Sequence, residues 1–444
     1  MTPLLVGLDV GTTAIKAVVF DGKGRPVARG SANTPWVVTG QGTEMDAVTL
    51  TASAVGALAE ALAGAPEGPV VALGITSMAE SGVLLGTRGQ PLSPVIAWHD
   101  GRDVGEVSAL AAAFGPDEFA RRTGLPLRSQ WSLTKHRWLV GHDARAGEAV
   151  RRLNIAEWVV RALGGQECAE QSLASRTGWL ELGSRRWWPE ALEWSGARAS
   201  LMPDIVEAGT PLGMVSSDVG IARLAGAVLT VAGHDHQAAA VGAGAFGPGD
   251  VLDSCGTAEA FVRTIPAGLQ ADSVAALAKD GITTGWHAMS GRWCLLGATQ
   301  GGLVLQRILE LLGLSQHDIA ELDRSALVAD AGALAVNGLD GNSLTISGVT
   351  SGTRPGHLWR VALEAVTSQA WEIHAAMSRV VGEHNSLVVT GGWSRSDALL
   401  QLKRQVFGSL VARPVGEAGA RGAALFAGLA AGVFSGSEEF SCLD

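Results

Sequence analysis

Cysteine, charge and basic runs are all scarce in this sequence, and each scarcity excludes a class of protein. The four cysteines include no CxxC pair, which argues against a disulfide framework or a zinc ribbon and favours a reducing cytoplasm. Charged residues make up only 17% of the chain, the formal net charge is −10, and no long run of lysine or arginine occurs. Nucleic acid and anionic membrane are therefore poor candidates for partners.

Tyrosine is absent altogether, and no apolar run is long enough to cross a bilayer. The opening MTPLLVGLDVGTT has no basic start and its apolar run ends at Asp9, so it is not expected to be a signal peptide. The late stretch GAALFAGLAAGVF is too short to span a membrane, and its small residues indicate a closely packed helix. The 47% hydrophobic content and the length of 444 residues indicate a compact chain of two or three domains.

The chain has two halves that open in the same way. LLVGLDV, a tight GTT turn and IKAVVFD predict a β-hairpin at the N-terminus. Near residue 245 the pattern restarts, because GDVLDSCGTAEAFVRT again predicts a strand, a glycine turn and a strand. An internal duplication follows, with the boundary near residue 243 and domains of 1–243 and 244–444.

Hydrophobic periodicity predicts the remaining elements of an α/β fold. Helices are expected at 47–62, over much of 103–193, at 396–408 and at 416–432, and a buried strand at 70–76.

The first turn carries groups that suit a phosphate. Gly11 lets consecutive N–H groups face an anion, Thr12 and Thr13 add hydroxyl donors, and Lys16 on the returning strand could reach a phosphate. Asp9 could position Mg²⁺ through its water ligands. An ordinary polar hairpin is the alternative, but the second turn repeats the pattern and favours phosphate. The repeated residues are Asp253, Gly256 and Thr257.

The segment VAGHDHQAA places Asp235 between His234 and His236. If the segment is extended, neighbouring side chains point to opposite faces, so the three cannot converge on one metal ion. Two histidines on one face do not make a zinc site. We therefore expect no transition metal here. His234 is expected to have a structural role, and His236 either a structural role or a contact with substrate.

Two phosphate turns and a late TGG segment resemble the actin/hexokinase/Hsp70 ATPase superfamily. More narrowly, the chain resembles the FGGY carbohydrate kinases from end to end. The matching stretches are GLDVGTTAIKAVVFD, GITSMAESGVLL, PVIAWHDGRD, AEQSLASRTGWLEL, AGHDHQAAAVGAG, DSCGTAEAF and VVTGGWSRSDALLQLKRQVFG.

The resemblance implies a fold, an activity and a set of roles. It implies two actin-like (ribonuclease H-like) domains flanking a catalytic cleft, with ATP and Mg²⁺ as cofactors. Asp235 matches the family's general base in its G-x-D-x-x-A segment. Gly391 and Gly392 would let adenine lie against bare backbone, and Ser396, the expected N-cap of the next helix, joins this nucleotide site. Neither a Walker A sequence nor a dinucleotide-binding context for GAGAFG is present.

The expected substrate site is less well defined. Glycerol kinases carry an Arg–Glu pair in the loop that is SMAES here, and xylulokinases a Met–His pair, so this chain matches neither in full. Gln130 and Trp131 fall where glycerol kinases keep an aromatic pair that begins with tyrosine, and this chain has no tyrosine. Asp100 could instead form a structural salt bridge with Arg102 under the packed ring of Trp98. The candidate substrate residues are Met78, Glu80, Trp98, Asp100, Gln130, Asp235 and His236.

These patterns predict an ATP-dependent kinase for a primary hydroxyl of a small sugar or polyol, with a pentulose such as xylulose expected first. The alternatives are a tetritol, a hexulose or a sugar acid as acceptor. An actin- or Hsp70-like ATPase without kinase activity and a catalytically inactive sugar sensor remain as other classes. The oligomeric state is open, a homodimer included.

Overall fold

The computed structural model describes residues 3–339, 343–412 and 415–442. The strands of these ranges are β1 Leu4–Val10, β2 Ala14–Phe20, β3 Pro26–Asn33, β4 Val37–Thr39, β5 Gly42–Met45, β6 Val70–Ser77, β7 Gly82–Leu85, β8 Val95–Ile96, β9 Arg151–Asn154, β10 Ala169–Glu170, β11 Leu180–Glu181, β12 Arg186–Trp187, β13 Ile205–Val206, β14 Val228–His234, β15 Asp250–Cys255, β16 Glu259–Pro266, β17 Thr283–Trp286, β18 Arg292–Thr299, β19 Ala335–Asn337, β20 Thr345–Ser347, β21 Ser386–Thr390 and β22 Val411–Ala412.

The α-helices of the same ranges alternate with these strands and confirm the α/β class. They are α1 Ala47–Ala63, α2 Val104–Phe114, α3 Pro116–Thr123, α4 Ser132–His142, α5 Ile155–Ala162, α6 Gln171–Ala174, α7 Pro189–Ser195, α8 Asp235–Ala243, α9 Ala271–Lys279, α10 Gly301–Leu311, α11 Ile319–Val328, α12 Pro355–Val381, α13 Asp397–Phe407 and α14 Ala418–Ala430. None of the helices in the described ranges combines the length and apolarity needed to span a bilayer.

The first sheet has the strand order β14-β6-β1-β2-β3. Strands β1, β6 and β14 are parallel, and β2 returns antiparallel to β1 as the predicted hairpin. The continuous apolar runs of β1 and β6 are buried on both faces, as expected for central parallel strands covered by helices. Helix α1 covers one face of this sheet, and its bounds confirm the predicted helix at 47–62.

The second sheet has the order β17-β18-β16-β15-β21-β22. The hairpin β15–β16 repeats the arrangement of β1–β2, and β21 lies parallel to β15, as β6 lies parallel to β1. The repeated sequence pattern therefore forms the same local structure twice. The helix predicted at 396–408 is α13, and Ser396 accepts a hydrogen bond from the N–H of Leu399 as its N-cap.

The last helix, α14, crosses back to the first sheet. It packs against β1, β6, β14 and α8, so the C-terminal part of the chain closes the core of the first half. Glycine permits the contact: a Cβ on Gly74 would lie 1.9 Å from the carbonyl oxygen of Ala423, and one on Gly7 would lie 1.8 Å from that of Ala420. A domain boundary near residue 243 stays a prediction, because α14 joins the two halves.

We expect Gly74→Ala to lower the free energy of unfolding by about 1–3 kcal/mol, the usual cost of overpacking a core. Backbone atoms of α14, rather than a flexible side chain, meet the added methyl group. Gly56→Ala is the control, because Gly56 is exposed on α1 with open space around it, and alanine there should be neutral or stabilising by up to ~1 kcal/mol. Equal unfolding midpoints for the two variants in urea would contradict the proposed packing.

Candidate active site

The parallel strands of the first sheet end along one edge, and the candidate catalytic groups lie there. Asp9 on β1 pairs with Thr76 on β6, which pairs in turn with Gly233 on β14. Loops that follow parallel strands emerge at their carboxyl ends, where open α/β sheets bind ligands. This register brings Asp9, the loop at 78–81 and Asp235 to the same edge.

Asp235 is a half-buried carboxyl at the start of α8. Its Oδ1 accepts a hydrogen bond of 2.7 Å from the N–H of His236 and lies 3.2 Å from Nε2 of His234. Its Oδ2 has no hydrogen-bonding partner in the part of the chain that the structure describes. Burial and the charge of Glu80 together raise the pKa of Asp235 to about 7, although the charge of Arg176 lowers it. The carboxyl therefore changes charge near neutral pH.

The interpretation of residues 234–236 as one extended segment is wrong, because His234 ends β14 and Asp235 begins α8. The two histidine rings lie edge to face with centroids 5.3 Å apart. Burial lowers the pKa of both, to about 4 for His236, so both rings are neutral at pH 7. His234 is buried, and its backbone N–H donates a hydrogen bond to the hydroxyl oxygen of Ser172, which fits the structural role predicted for it.

Asp9 is the second carboxyl at this edge. Its Oδ1 is buried and has no hydrogen-bonding partner among the described residues. Burial and the nearby charge of Asp235 raise the pKa of Asp9 to about 7. A Cβ on Gly419 would lie 2.3 Å from Asp9 Oδ2, so the backbone of α14 forms one wall of this pocket. An unsatisfied carboxylate oxygen in this position fits a role in holding hydrated Mg²⁺.

The first turn is held by side-chain and backbone hydrogen bonds. The indole of Trp98 donates a 2.9 Å hydrogen bond to the hydroxyl of Thr12, and the N–H of Gly11 donates to the carbonyl of Ala14. Thr13 is exposed. Lys16 forms an ion pair of 2.8 Å with Glu417 at the start of α14, so its ammonium is shared with a carboxylate.

The second turn lies against the TGG segment. Gly391 has φ +91°, and a Cβ there would lie 2.4 Å from the carbonyl oxygen of Cys255, so only glycine fits. Gly392 faces open space, and the adjoining Gly256 is half-buried and Thr257 exposed. This surface of bare backbone matches the one expected for a nucleotide.

Ser396 departs from the predicted nucleotide site. It is buried, its hydroxyl donates a 3.0 Å hydrogen bond to Asp323, and the same oxygen caps α13. With both functions of the hydroxyl occupied, Ser396 holds the helix rather than a ligand.

A cluster of Asp253, Cys255 and Glu259 has ligand atoms close enough to hold a metal ion. The ammonium of Lys403 already lies between the acids, 2.5 Å from Asp253 and in contact with Glu259. All four side chains are buried in the second half, where the lysine neutralises the charge of the acids beneath the second turn. The cluster is therefore a buried ion-pair network rather than a vacant cation site.

Glu80 is the predicted substrate residue whose charge acts on Asp235, and Gln130 is bound to it. Gln130 Nε2 donates a 3.1 Å hydrogen bond to Glu80 Oε1. Glu80 also forms an ion pair of 2.6 Å with Arg176, whose guanidinium donates to the hydroxyl of Thr283 on the second half. Glu80 has φ +66°, an unusual conformation for a non-glycine residue. Both Glu80 and Arg176 influence the pKa of Asp235.

Three other candidates serve the scaffold. Met78 is buried in the core of the first half. The carboxylate of Asp100 is occupied by Arg102 at 2.9 Å and by the N–H of Thr43. Trp98 is bound to the first turn, as described above. The structure thus favours the alternative of a structural salt bridge for Asp100, and leaves that carboxylate without a free oxygen for substrate.

Arg176 was not among the candidate residues, although it lies in the matching stretch AEQSLASRTGWLEL. Its partner Glu80 is 96 positions away in the chain. The signal that was available is chemical: an arginine in a stretch that matches the family needs a counter-ion if it is buried.

Comparisons with known proteins agree with this geometry. Residues 4–242 match the N-terminal domain and residues 252–431 the C-terminal domain of the FGGY family of carbohydrate kinases. A glycerol kinase of Rhizorhabdus wittichii is 31% identical, over 99% of this chain and 90% of its own.

Solved structures show the same fold. A xylulose kinase from Rhodospirillum rubrum has a TM-score of 0.85 at 24% identity, covering 99% of this chain and 92% of its own. A gluconate kinase from Lactobacillus acidophilus has a TM-score of 0.88 at 20% identity, covering 100% and 92%. The three names concern three different acceptors, so likeness of fold leaves the acceptor of this chain undecided.

The family matches span nearly the whole chain, and they confirm the two-domain, actin-like architecture expected from the paired turns. The chain belongs to the FGGY family of carbohydrate kinases, enzymes that use ATP to phosphorylate an alcohol group of a sugar or polyol.

Proposed function

We propose that the enzyme transfers the γ-phosphate of ATP to a primary hydroxyl of an open-chain polyhydroxy compound of about four to six carbons, with Asp235 as general base. The observation that carries the proposal is the Asp235 carboxyl, whose Oδ2 is unengaged in the described structure, at the sheet edge beside Asp9 and Glu80.

Phosphoryl transfer asks little covalent work of the protein. The acceptor oxygen forms a bond to the γ-phosphorus, the bond from that phosphorus to the bridging oxygen breaks, and ADP leaves. The hydroxyl proton passes to Asp235. A carboxyl with a pKa of about 7 is well matched to this step, because about half of it is ionised at pH 7 and the ionised form is basic enough to take the proton.

The nucleotide is proposed to lie between the two turns. Gly11, Thr12 and Thr13 would face the phosphates from the first half, and Gly256 and Thr257 from the second, with adenine against Gly391 and Gly392. Lys16 would contribute only if its ion pair with Glu417 opens. Mg²⁺ bound with ATP would neutralise phosphate charge. Asp9, with its unpaired buried oxygen, is the residue proposed to hold it through water.

The acceptor is proposed to meet Glu80, Gln130 and His236. These groups offer more hydrogen bonds than a three-carbon polyol can satisfy, and buried polar groups left unpaired penalise a short ligand. A pentulose such as xylulose remains the acceptor expected from the sequence, with tetritols, hexuloses and sugar acids as alternatives. Glycerol is the acceptor named for the Rhizorhabdus wittichii relative, so it is the competing hypothesis that the pocket argument must exclude.

We expect Asp235→Asn to lower kcat by at least ~10²-fold while ATP affinity changes little, because the variant keeps the shape of the side chain and loses the base. Exposed Asp218, in the short turn Ser217–Val219 that precedes β14, supplies the matched control Asp218→Asn with unchanged turnover. Turnover and nucleotide affinity of both folded variants are the measurements. A folded Asp235→Asn enzyme with near-normal kcat would refute the base assignment.

The pH dependence should follow the same carboxyl. Only ionised Asp235 accepts the proton, so kcat/KM should rise as pH increases through about 7 and level off above about pH 8. Because the charge of Asp235 raises the pKa of Asp9, the two carboxyls titrate together and the apparent midpoint belongs to the pair. A profile that is flat or that falls between about pH 6 and pH 8 would argue against a carboxyl base with this environment.

The acceptor length is tested by ADP release, measured with a coupled assay over ketoses, aldoses, polyols and sugar acids. Glycerol should have a kcat/KM at least about tenfold below that of the best acceptor of four to six carbons. Glycerol as the best acceptor would overturn the pocket argument and leave the kinase assignment intact.

A further inference from the structure

Two guanidinium groups contact the same buried ring at the acceptor side of the site. Arg128 and Arg176 each lie with Cζ 5.0 Å from the centroid of Trp131, and Trp131 is fully buried. Arg176 is compensated, because it forms an ion pair with Glu80 and a hydrogen bond with Thr283. The guanidinium of Arg128 has neither an ion pair nor a hydrogen bond within the described ranges.

Arg128 is only partly open to solvent. The residue is exposed, yet surrounding protein and the charge of Arg176 lower its pKa to about 10, while Glu80 acts in the opposite direction. A cation that water can reach, but that neighbouring protein partly desolvates, is suited to an ion pair with a ligand, since the attraction is stronger there than on an open surface.

Arg128 and the proposed base have charged neighbours in common. It lies two positions before Gln130, which donates to Glu80. Glu80 and Arg176 act electrostatically on both Arg128 and Asp235. Arg128 and the proposed base therefore both lie near the Glu80–Arg176 pair, so an acceptor molecule bound beside that pair is proposed to reach both.

We infer that Arg128 binds a carboxylate of the acceptor, so that the substrate is a sugar acid phosphorylated at the hydroxyl end that reaches Asp235. This inference rests on the proposed function and narrows its acceptor class. The planar guanidinium fork matches a carboxylate, with two parallel N–H donors. The Glu80 carboxylate repels a second anion near the base, which orients the acid group towards Arg128.

Charge balance favours a carboxylate over a phosphate. Glu80 and Arg176 neutralise each other, which leaves one positive charge on Arg128 to be matched. A monoanionic acid satisfies it, whereas a dianionic sugar phosphate would leave one negative charge uncompensated beside Glu80.

The experiment compares aldonates of four to six carbons with alditols of the same length and with the corresponding sugar phosphates, measured by ADP release with the full-length enzyme. The wild-type kcat/KM should favour an aldonate over its alditol by about 100-fold, the scale of losing one partner of a desolvated charge pair. Arg128→Gln should remove that preference mainly through KM and change alditol turnover less than about threefold. Arg128→Lys should restore part of it.

Arg122→Gln is the matched control. Arg122 also stacks on a tryptophan, Trp188, at 5.1 Å, but it is paired with Glu118 and Glu181, so its loss should leave both acceptor classes unaffected. Melting temperatures establish that each variant is folded.

The outcomes separate the inference from the proposed function. A neutral sugar or polyol preferred over every acid, with turnover that depends on Asp235, would overturn the carboxylate inference alone. A sugar phosphate preferred over the aldonates would also overturn it. An aldonate preference that survives in folded Arg128→Gln would remove Arg128 from the assignment. No ADP release with any acceptor would refute the proposed function and the inference with it.

Discussion

The close packing of α14 on the first sheet is the constraint on which the rest of the site depends. The helix lies almost in contact with the backbone of β1 and β6 at Gly7 and Gly74, and with α8 through Gly422 and Gly242. Its first turn borders Asp9, and it lies against α8, which begins at Asp235. One helix from the end of the chain therefore fixes the spacing of the two carboxyls, and small residues are required wherever backbones approach this closely.

The charges at this edge are arranged so that one acid can serve as a base. Burial penalises the ionised forms of Asp9 and Asp235. In addition, the charge of Asp235 raises the pKa of Asp9, and the charge of Glu80 raises the pKa of Asp235. Arg176 limits this effect by neutralising Glu80. Without Arg176, the uncompensated charge of Glu80 would raise the pKa of Asp235 further. The arginine thus acts on the base through Glu80 as well as directly.

Local chemistry was predictable from the sequence, and long-range pairing was not. The hairpins, the strand at 70–76, the helix after Ser396 and the small residues of α14 all follow from apolar period, turn residues and caps that lie within a few positions. Lys16 with Glu417, Glu80 with Arg176, and Ser396 with Asp323 join residues 73 to several hundred positions apart. Hydrophobic periodicity does not indicate such partners. The sequence therefore assigned Lys16 and Ser396 to the phosphate or nucleotide site, and Arg176 was left out.

The two ends of the proposed cleft use different kinds of atoms, and this explains why the family is clear while the acceptor is not. The nucleotide end consists mainly of glycine turns and backbone N–H groups, which recognise phosphate by geometry that recurs with little change. At the acceptor end, recognition is proposed to depend on the side chains of Glu80, Gln130, Arg176 and Arg128. The similarity extends over nearly the whole chain and identifies a carbohydrate kinase. Selectivity depends on the second set, and in this chain that set includes one cation with no partner of its own among the described residues.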